Sequence, residues 1–184
     1  NLKDGGMEQL VDIKFNINSK KAFELFEGNN LYNNKLVFIR ELIQNSLDAS
    51  KLQMWKDINT GIYDNVYGLT VNKDGNREYN YISNIPNDIY KFYPIWITLK
   101  KEKNNEFTFS IEDNGRGMGK EDIQRVANIG ESYLNDSNAN KLINRIPYWL
   151  NPTGNFGIGL QSIFQVTKTF TAETKSDKDR KSVV

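Results

Sequence analysis

With 184 residues and a formal net charge of +1, from 24 basic and 23 acidic side chains, the chain suits one ordinary domain. It carries no field that would make nucleic acid or an anionic membrane its main partner. Cysteine and histidine are both absent, which excludes disulfides, thiolate and imidazole metal sites, cysteine nucleophiles and Ser/His triads, but leaves room for a hard cation held by oxygens.

No run approaches the roughly 20 apolar residues that span a bilayer. The opening Asn-Leu-Lys-Asp-Gly-Gly has no signal-peptide pattern, so a soluble, cytoplasmic protein is expected. The missing initiator Met suggests a trimmed chain or a fragment.

In chain order, the alternation of Leu10, Val11, Ile13, Phe15 and Ile17 predicts a short strand, and residues 20 to 26 the start of a helix. Residues 34 to 55 have a helical pattern. Residues 59 to 87, rich in Asn, Tyr, Asp and Gly, read as loops with a hairpin, inserted between core elements. Two strands, at 95 to 101 and 106 to 112, form a hairpin across the polar turn 102 to 105. A helix is expected over 120 to 129, then a polar stretch and a Pro-bounded segment ending at Pro152. A glycine-rich turn, a helix over 160 to 165, a strand over 168 to 174 and a charged, frayed tail complete the chain. This mixed order predicts an α+β fold with helices on one face of a largely antiparallel sheet.

Three groups of residues carry chemistry. On the first long helix Glu41, Asn45, Asp48 and Leu52 share one stripe, with Leu36, Ile39 and Ile43 about opposite, so packing is expected to bury the second stripe. A solvated face is the plain reading of the first. Yet it lacks basic residues and sets an acid, an amide and an acid a turn apart, which suits magnesium held through an amide oxygen beside a carboxylate that takes a proton from water. Arg40, next to Glu41, would tune that carboxylate, although an exposed Arg is the simpler explanation.

In the second group, strand parity puts Asp113 on the same face as Phe107, Phe109 and Ile111, a carboxylate at the edge of the core that needs a donor such as a ligand amino group. A simple turn explains Asn114 and Gly115. It does not explain Gly117, Met118 and Gly119, where small residues would let backbone approach a flat heterocycle. The third group, Gly154-Asn155-Phe156-Gly157-Ile158-Gly159, precedes a helix start, where exposed N–H groups bind phosphate. No Lys occupies the place a Walker A loop requires.

In this order the three segments, Arg40-Glu41-Leu42-Ile43-Gln44-Asn45-Ser46-Leu47-Asp48-Ala49, Asp113-Asn114-Gly115-Arg116-Gly117-Met118 and Gly154 to Gly159, resemble the GHKL ATPases. That superfamily holds gyrase, the ninety-kilodalton heat-shock chaperone, histidine kinases and MutL. Phe156-Gly157-Ile158-Gly159 with Ser162, and Ile129-Gly130-Glu131-Ser132, look most like the heat-shock chaperone branch.

The resemblance implies a Bergerat fold, a two-layer α/β sandwich formed by 1–184 as a single domain, with 119–153 as the ATP lid and with the last strands of such a domain missing. It implies ATP or ADP as ligand and Mg2+ as cofactor, with Glu41 as general base and Asn45 as magnesium ligand. Asp113 would accept from the adenine amino group, while Asp48, Ala49, Gly115, Gly117 and Met118 line the pocket. Asn155, Phe156, Gly157, Ile158 and Gly159 would cradle phosphate. A chaperone-like ATPase follows, homodimeric in the full-length protein, with protein clients and no membrane partner. A DNA clamp of the MutL or gyrase type, or a module that senses nucleotide without hydrolysis, would use the same pocket.

Overall fold

The computed structural model describes residues 16–17, 36–64, 85–119, 122–123, 128–129, 146–153 and 160–175. The expectations for residues 10 to 15 and 20 to 26, for the hairpin between 65 and 84, for most of 124 to 145, for 154 to 159 and for the tail beyond 175 lie outside them.

The dominant element is helix α1, Val37–Asn59. No Gly or Pro interrupts it, and its Leu, Met, Gln, Glu and Lys content favours the helical state. It runs four residues past the expected end at Trp55 because its stop signal comes later. Gly61 takes φ 80°, its N–H donates to the Ile58 carbonyl at 3.1 Å, and the Ile62 N–H donates to the Asp57 carbonyl at 3.2 Å. This pair of bonds around a left-handed glycine is a Schellman stop.

The second half of α1 anchors the core. Met54 and Ile58 are buried with Tyr63, Ile85, Ile89, Ile146 and Leu150, and Trp55, Tyr90 and Trp149 pack around them. Ile89 belongs to α2, Asn87–Tyr90, a single turn that follows Pro86 and falls outside every sequence expectation. A polar chain closes the same region. Asp57 accepts from Gln53 Nε2 at 2.7 Å and from the Tyr93 hydroxyl at 2.6 Å. Since Tyr93 spends its one proton there, the Tyr63 hydroxyl donates to Tyr93, at 2.5 Å. Burial, and then these bonds to Asp57 and Tyr63, hold the Tyr93 hydroxyl far above its ordinary pKa.

The expected hairpin is present as β2, Ile95–Lys101, and β3, Phe107–Asp113, antiparallel with Ile95 opposite Asp113, Ile97 opposite Ile111 and Leu99 opposite Phe109. Its turn is a 3-10 segment, Lys103–Asn105, in which Asn104 and Asn105 take positive φ, a region that Asn tolerates. Phe109, Ile111 and Asp113 are half-buried while Thr108, Ser110 and Glu112 are exposed, as strand parity requires. Phe38 of α1 meets Phe109 edge to face with centroids 5.7 Å apart, so α1 covers the site end of the hairpin. Leu99 at the far end is 67% exposed.

Three expectations change. Asn128–Ile129, expected to end a helix, instead form β4, parallel to β1 at Asn16–Ile17. The helical bond from the Ile123 N–H to the Gly119 carbonyl shows where that helix starts, but extended pairing satisfies the backbone ten residues on. Residues 168 to 174 form no strand, since no neighbouring strand offers them a ladder among the described residues. Leu160–Gln165 is helical as expected, but as a 3-10 helix with Ser162 and Ile163 buried. Helices with an antiparallel hairpin make the fold α+β.

Candidate functional site

Helix α1 packs against β3 on one side and against 148–150 and 160–165 on others. These neighbours decide which stripe is buried, and the outcome differs from the amphipathic expectation. Leu36 is 61% exposed, and Ile39 and Ile43 are half-buried, lining an open depression with Arg40 and Gln44. Further along, Ser46, Ser50 and Gln53 continue that stripe at helical spacing and are buried, as is Asp48 of the opposite stripe. The Leu36 end of the stripe stays open, whereas Asp48 is drawn in by hydrogen bonds.

Asp48 is only 8% exposed. Its Oδ2 accepts from the Thr153 main-chain N–H at 3.0 Å, and its Oδ1 from Gln44 Nε2 at 3.1 Å. Gln44 Nε2 also donates to the Thr153 hydroxyl, and Lys51 Nζ stands 3.9 Å from Oδ1. A buried carboxylate without such donors would cost several times what the bonds return. Glu41, two turns toward the N-terminus from Asp48 and half-buried, is gripped by Arg40, whose Nη2 and Nε both converge on Oε1 at 2.7 and 3.2 Å. Asn45 is exposed.

The second group docks onto the first through a close approach. Gly115 is buried against α1: a Cβ there would lie 2.5 Å from the Ala49 Cβ and 2.7 Å from the Ala49 carbonyl carbon. The Arg116 N–H donates to the Ala49 carbonyl at 3.2 Å, stitching the turn to the helix. Gly115, which a simple turn was enough to explain from the sequence, is thus required by the close approach of the helix itself. Gly117 needs its glycine for a different reason, φ 65°.

Asp113, half-buried at the end of β3, accepts from the Gly115 N–H through Oδ1 at 2.9 Å, the Asx turn that its type favours. Its Oδ2 meets no donor among the described residues. The turn is pinned further by Asn114 Nδ2 on the Phe92 carbonyl at 3.3 Å and by the Met118 N–H on Thr174 Oγ1 at 2.8 Å. Beyond it, Asp122 Oδ2 accepts from the Gly119 N–H at 3.0 Å and pairs with Arg116 Nη2 at 3.2 Å.

Of the residues predicted from the sequence, Glu41, Asn45, Asp48 and Ala49 therefore lie on one helix, and Asp113, Gly115, Gly117 and Met118 on the turn docked against it. Asn155, Phe156, Gly157, Ile158 and Gly159 fall outside the described residues. Sequence reasoning gave no role to Gln44, Thr153, Asp122 or Thr174. The four-residue spacing of Gln44 and Asp48 was a usable signal. Nothing local marked Thr153 or Thr174.

Among the described residues no cluster of three or more carboxylates offers a cage for a cation. Any magnesium here would rely on the Asn45 amide, water and ligand oxygens, a donor set that fits an ion which keeps much of its hydration. No helix among the described residues is long and apolar enough to cross a membrane.

Comparison with known proteins gives the family. Residues 34–183 match the family described as histidine kinase-, DNA gyrase B-, and HSP90-like ATPase. The chaperone protein HtpG of Clostridium acetobutylicum is 30% identical over 164 residues, 89% of this chain and 22% of that protein. HtpG of Halalkalibacterium halodurans is 29% identical over 163 residues, 89% and 21% of the two chains, and HtpG of Aliivibrio salmonicida 32% over 146 residues, 79% and 19%. The chain thus spans about a fifth of the length of the curated relatives it matches. It belongs to the histidine kinase-, DNA gyrase B- and HSP90-like ATPases, and is an ATP-binding domain of that family.

Proposed function

We propose that the groove between α1 and the turn Asp113 to Met118 holds the adenine nucleotide, and that the domain hydrolyses ATP with magnesium. The observation that carries this reading is the Gly115 to Ala49 docking. It sets a carboxylate with one uncommitted oxygen, Asp113, beside the helix that bears Glu41, Asn45 and Asp48. With Oδ1 engaged by the Gly115 N–H, Asp113 Oδ2 accepts from the adenine amino group, and Met118 with Gly117 lines the base.

Asn45 holds the magnesium through its amide oxygen, and Glu41 takes the proton from the attacking water. Magnesium, when bound, supplies the charge that the missing Walker lysine would otherwise give. For Glu41 to act as a base, the Arg40 pair on Oε1 has to leave Oε2 available to water. Asn155, Phe156, Gly157, Ile158 and Gly159 cradle the phosphates.

We further read residues 1 to 184 as one Bergerat domain, a two-layer sandwich of helices on a mixed, largely antiparallel sheet, with 119 to 153 as its lid. Contacts at both ends of that segment support this, Asp122 with Arg116 and Gly119 at one and Thr153 with Asp48 at the other. In the whole protein, lid closure drives homodimerisation and engagement of protein clients.

Calorimetry tests the pocket. Asp113→Asn turns the accepting oxygen set into one that also donates, and ATP binding is expected to vanish; unchanged affinity would sink the adenine assignment. Glu41→Ala in the whole protein is expected to bind ATP normally but to lose about 100-fold or more in turnover, the scale of general-base catalysis. Residual turnover near wild type would remove Glu41 from the chemistry.

A further inference from the structure

Two side chains with no part in the proposed pocket are tied to it by a closed set of hydrogen bonds. A Gln four residues before an Asp on a helix is ordinary surface decoration. Here the pair has a third member 105 residues away from Asp48, because Thr153 donates its main-chain N–H to Asp48 Oδ2 and its hydroxyl receives Gln44 Nε2. The Thr153 hydroxyl also stands 3.5 Å from Asp48 Oδ1. The Gln44 amide therefore spends one proton on Asp48 and the other on Thr153, and bridges the two.

Position gives this triangle its meaning. Thr153 is followed directly by Gly154, the first residue of the glycine-rich run. Gln44 is followed directly by Asn45 and lies within one turn of Glu41, on the same rigid helix. Asp48 is more than nine-tenths buried, so its bonds to Thr153 are sheltered from water and its charge strengthens them. The only chain segment that leads from residues 146 to 153 into the glycine run is thus fixed, through side chains, to the helix bearing the two groups that act on the phosphates.

We propose that Gln44 and Thr153 are positioning residues, a latch on Asp48 that fixes Thr153, the residue before the glycine-rich run, to the helix bearing Asn45 and Glu41, and so governs affinity for the phosphates and not for adenine. The proposal rests on the nucleotide reading above. Asp113 is bonded to the Gly115 N–H and to no member of the latch among the described residues, so adenine recognition is left intact when it opens.

Calorimetry on the whole protein with two probes, magnesium ADP and adenosine, separates the two effects. Gln44→Ala and Thr153→Val are each expected to weaken ADP about tenfold while adenosine stays within about twofold. Thr153→Ser, which keeps the hydroxyl, is expected to restore ADP affinity to within about twofold, and the double variant to be no worse than Gln44→Ala, as members of one unit behave. Should Gln44→Ala fail to fold, Gln44→Met keeps the length and apolar stem without the amide. ADP affinity that does not change, or an equal loss for ADP and adenosine, overturns the proposal.

Hydrogen exchange without nucleotide gives an independent readout. The Thr153 amide is expected to exchange about tenfold faster in Gln44→Ala, and unchanged exchange overturns the latch by itself. A wild-type protein that binds neither probe, with Thr153 still protected by Gln44, would overturn the nucleotide reading and with it the phosphate role.

Discussion

The two halves of α1 share a backbone but live in different surroundings. From Gln53 onward the helix is enclosed: Met54 and Ile58 meet isoleucines from two other segments, and Asp57 is bonded to a tyrosine from beyond α2. From Leu36 to Gln44 it is open, with apolar side chains around a shallow depression and an ion pair at the surface. The proposed catalytic group sits in the open half and the packing that holds the helix in place sits in the closed half. A rigid anchor at one end lets the other present side chains to a ligand without a core of its own.

Substitutions along the helix should separate the halves, and the largest effect belongs to the closed one. Ile58 is fully buried, so Ile58→Ala should cost about 2–5 kcal/mol in urea unfolding through lost burial and the cavity left behind. A loss below about 1 kcal/mol would mean that this half can collapse around the gap.

Tyr93→Phe should cost less, about 1–3 kcal/mol, because Asp57 and the Tyr63 hydroxyl each lose a partner. It also has a pH signature. Tyr93 holds its proton more tightly folded than unfolded, so its contribution is complete below the ordinary value of 10.0 and is lost as pH rises above it. Wild-type stability should therefore fall more steeply than that of the Phe variant between about pH 10 and 11, where unfolded tyrosine ionises. Parallel profiles would break the assignment.

At the open end, Leu36→Ser is expected to change stability by less than about 0.5 kcal/mol. A cost comparable to Ile58→Ala would erase the contrast between the halves.

What could be read from the sequence follows the same division. The hairpin was legible because alternation over seven residues and two asparagines in the turn specify both parity and reversal, and Asp113 followed from parity alone. The helix was legible as a helix, but its faces were not. Hydrophobic periodicity assumes that a covered stripe is apolar, and here its covered stretch carries Ser46, Ser50 and Gln53 while Leu36 stays open and Asp48 of the opposite stripe is buried. Its end was misplaced because the glycine that stops it stands six residues beyond Trp55.

Helix α2, a single turn, is too short to show a period, and the pairing of Asn128–Ile129 with Asn16–Ile17 depends on a strand more than a hundred residues away. The proposed pocket residues were picked out by motif. Of their supports, Gln44 showed only its four-residue spacing from Asp48, and Thr153 carries no local signature because its role exists only once distant segments meet.

The contact between Gly115 and Ala49 leaves room for a single methyl group between turn and helix. Position 49 supplies it, so position 115 cannot. The two sites therefore share one volume, and a residue change at either is in effect a change at both. Moving the methyl across, Ala49→Gly with Gly115→Ala, would keep the total while shifting where it sits, so the separation of helix and turn beside Asp113 is set jointly by two residues 66 positions apart, counting from 49 to 115.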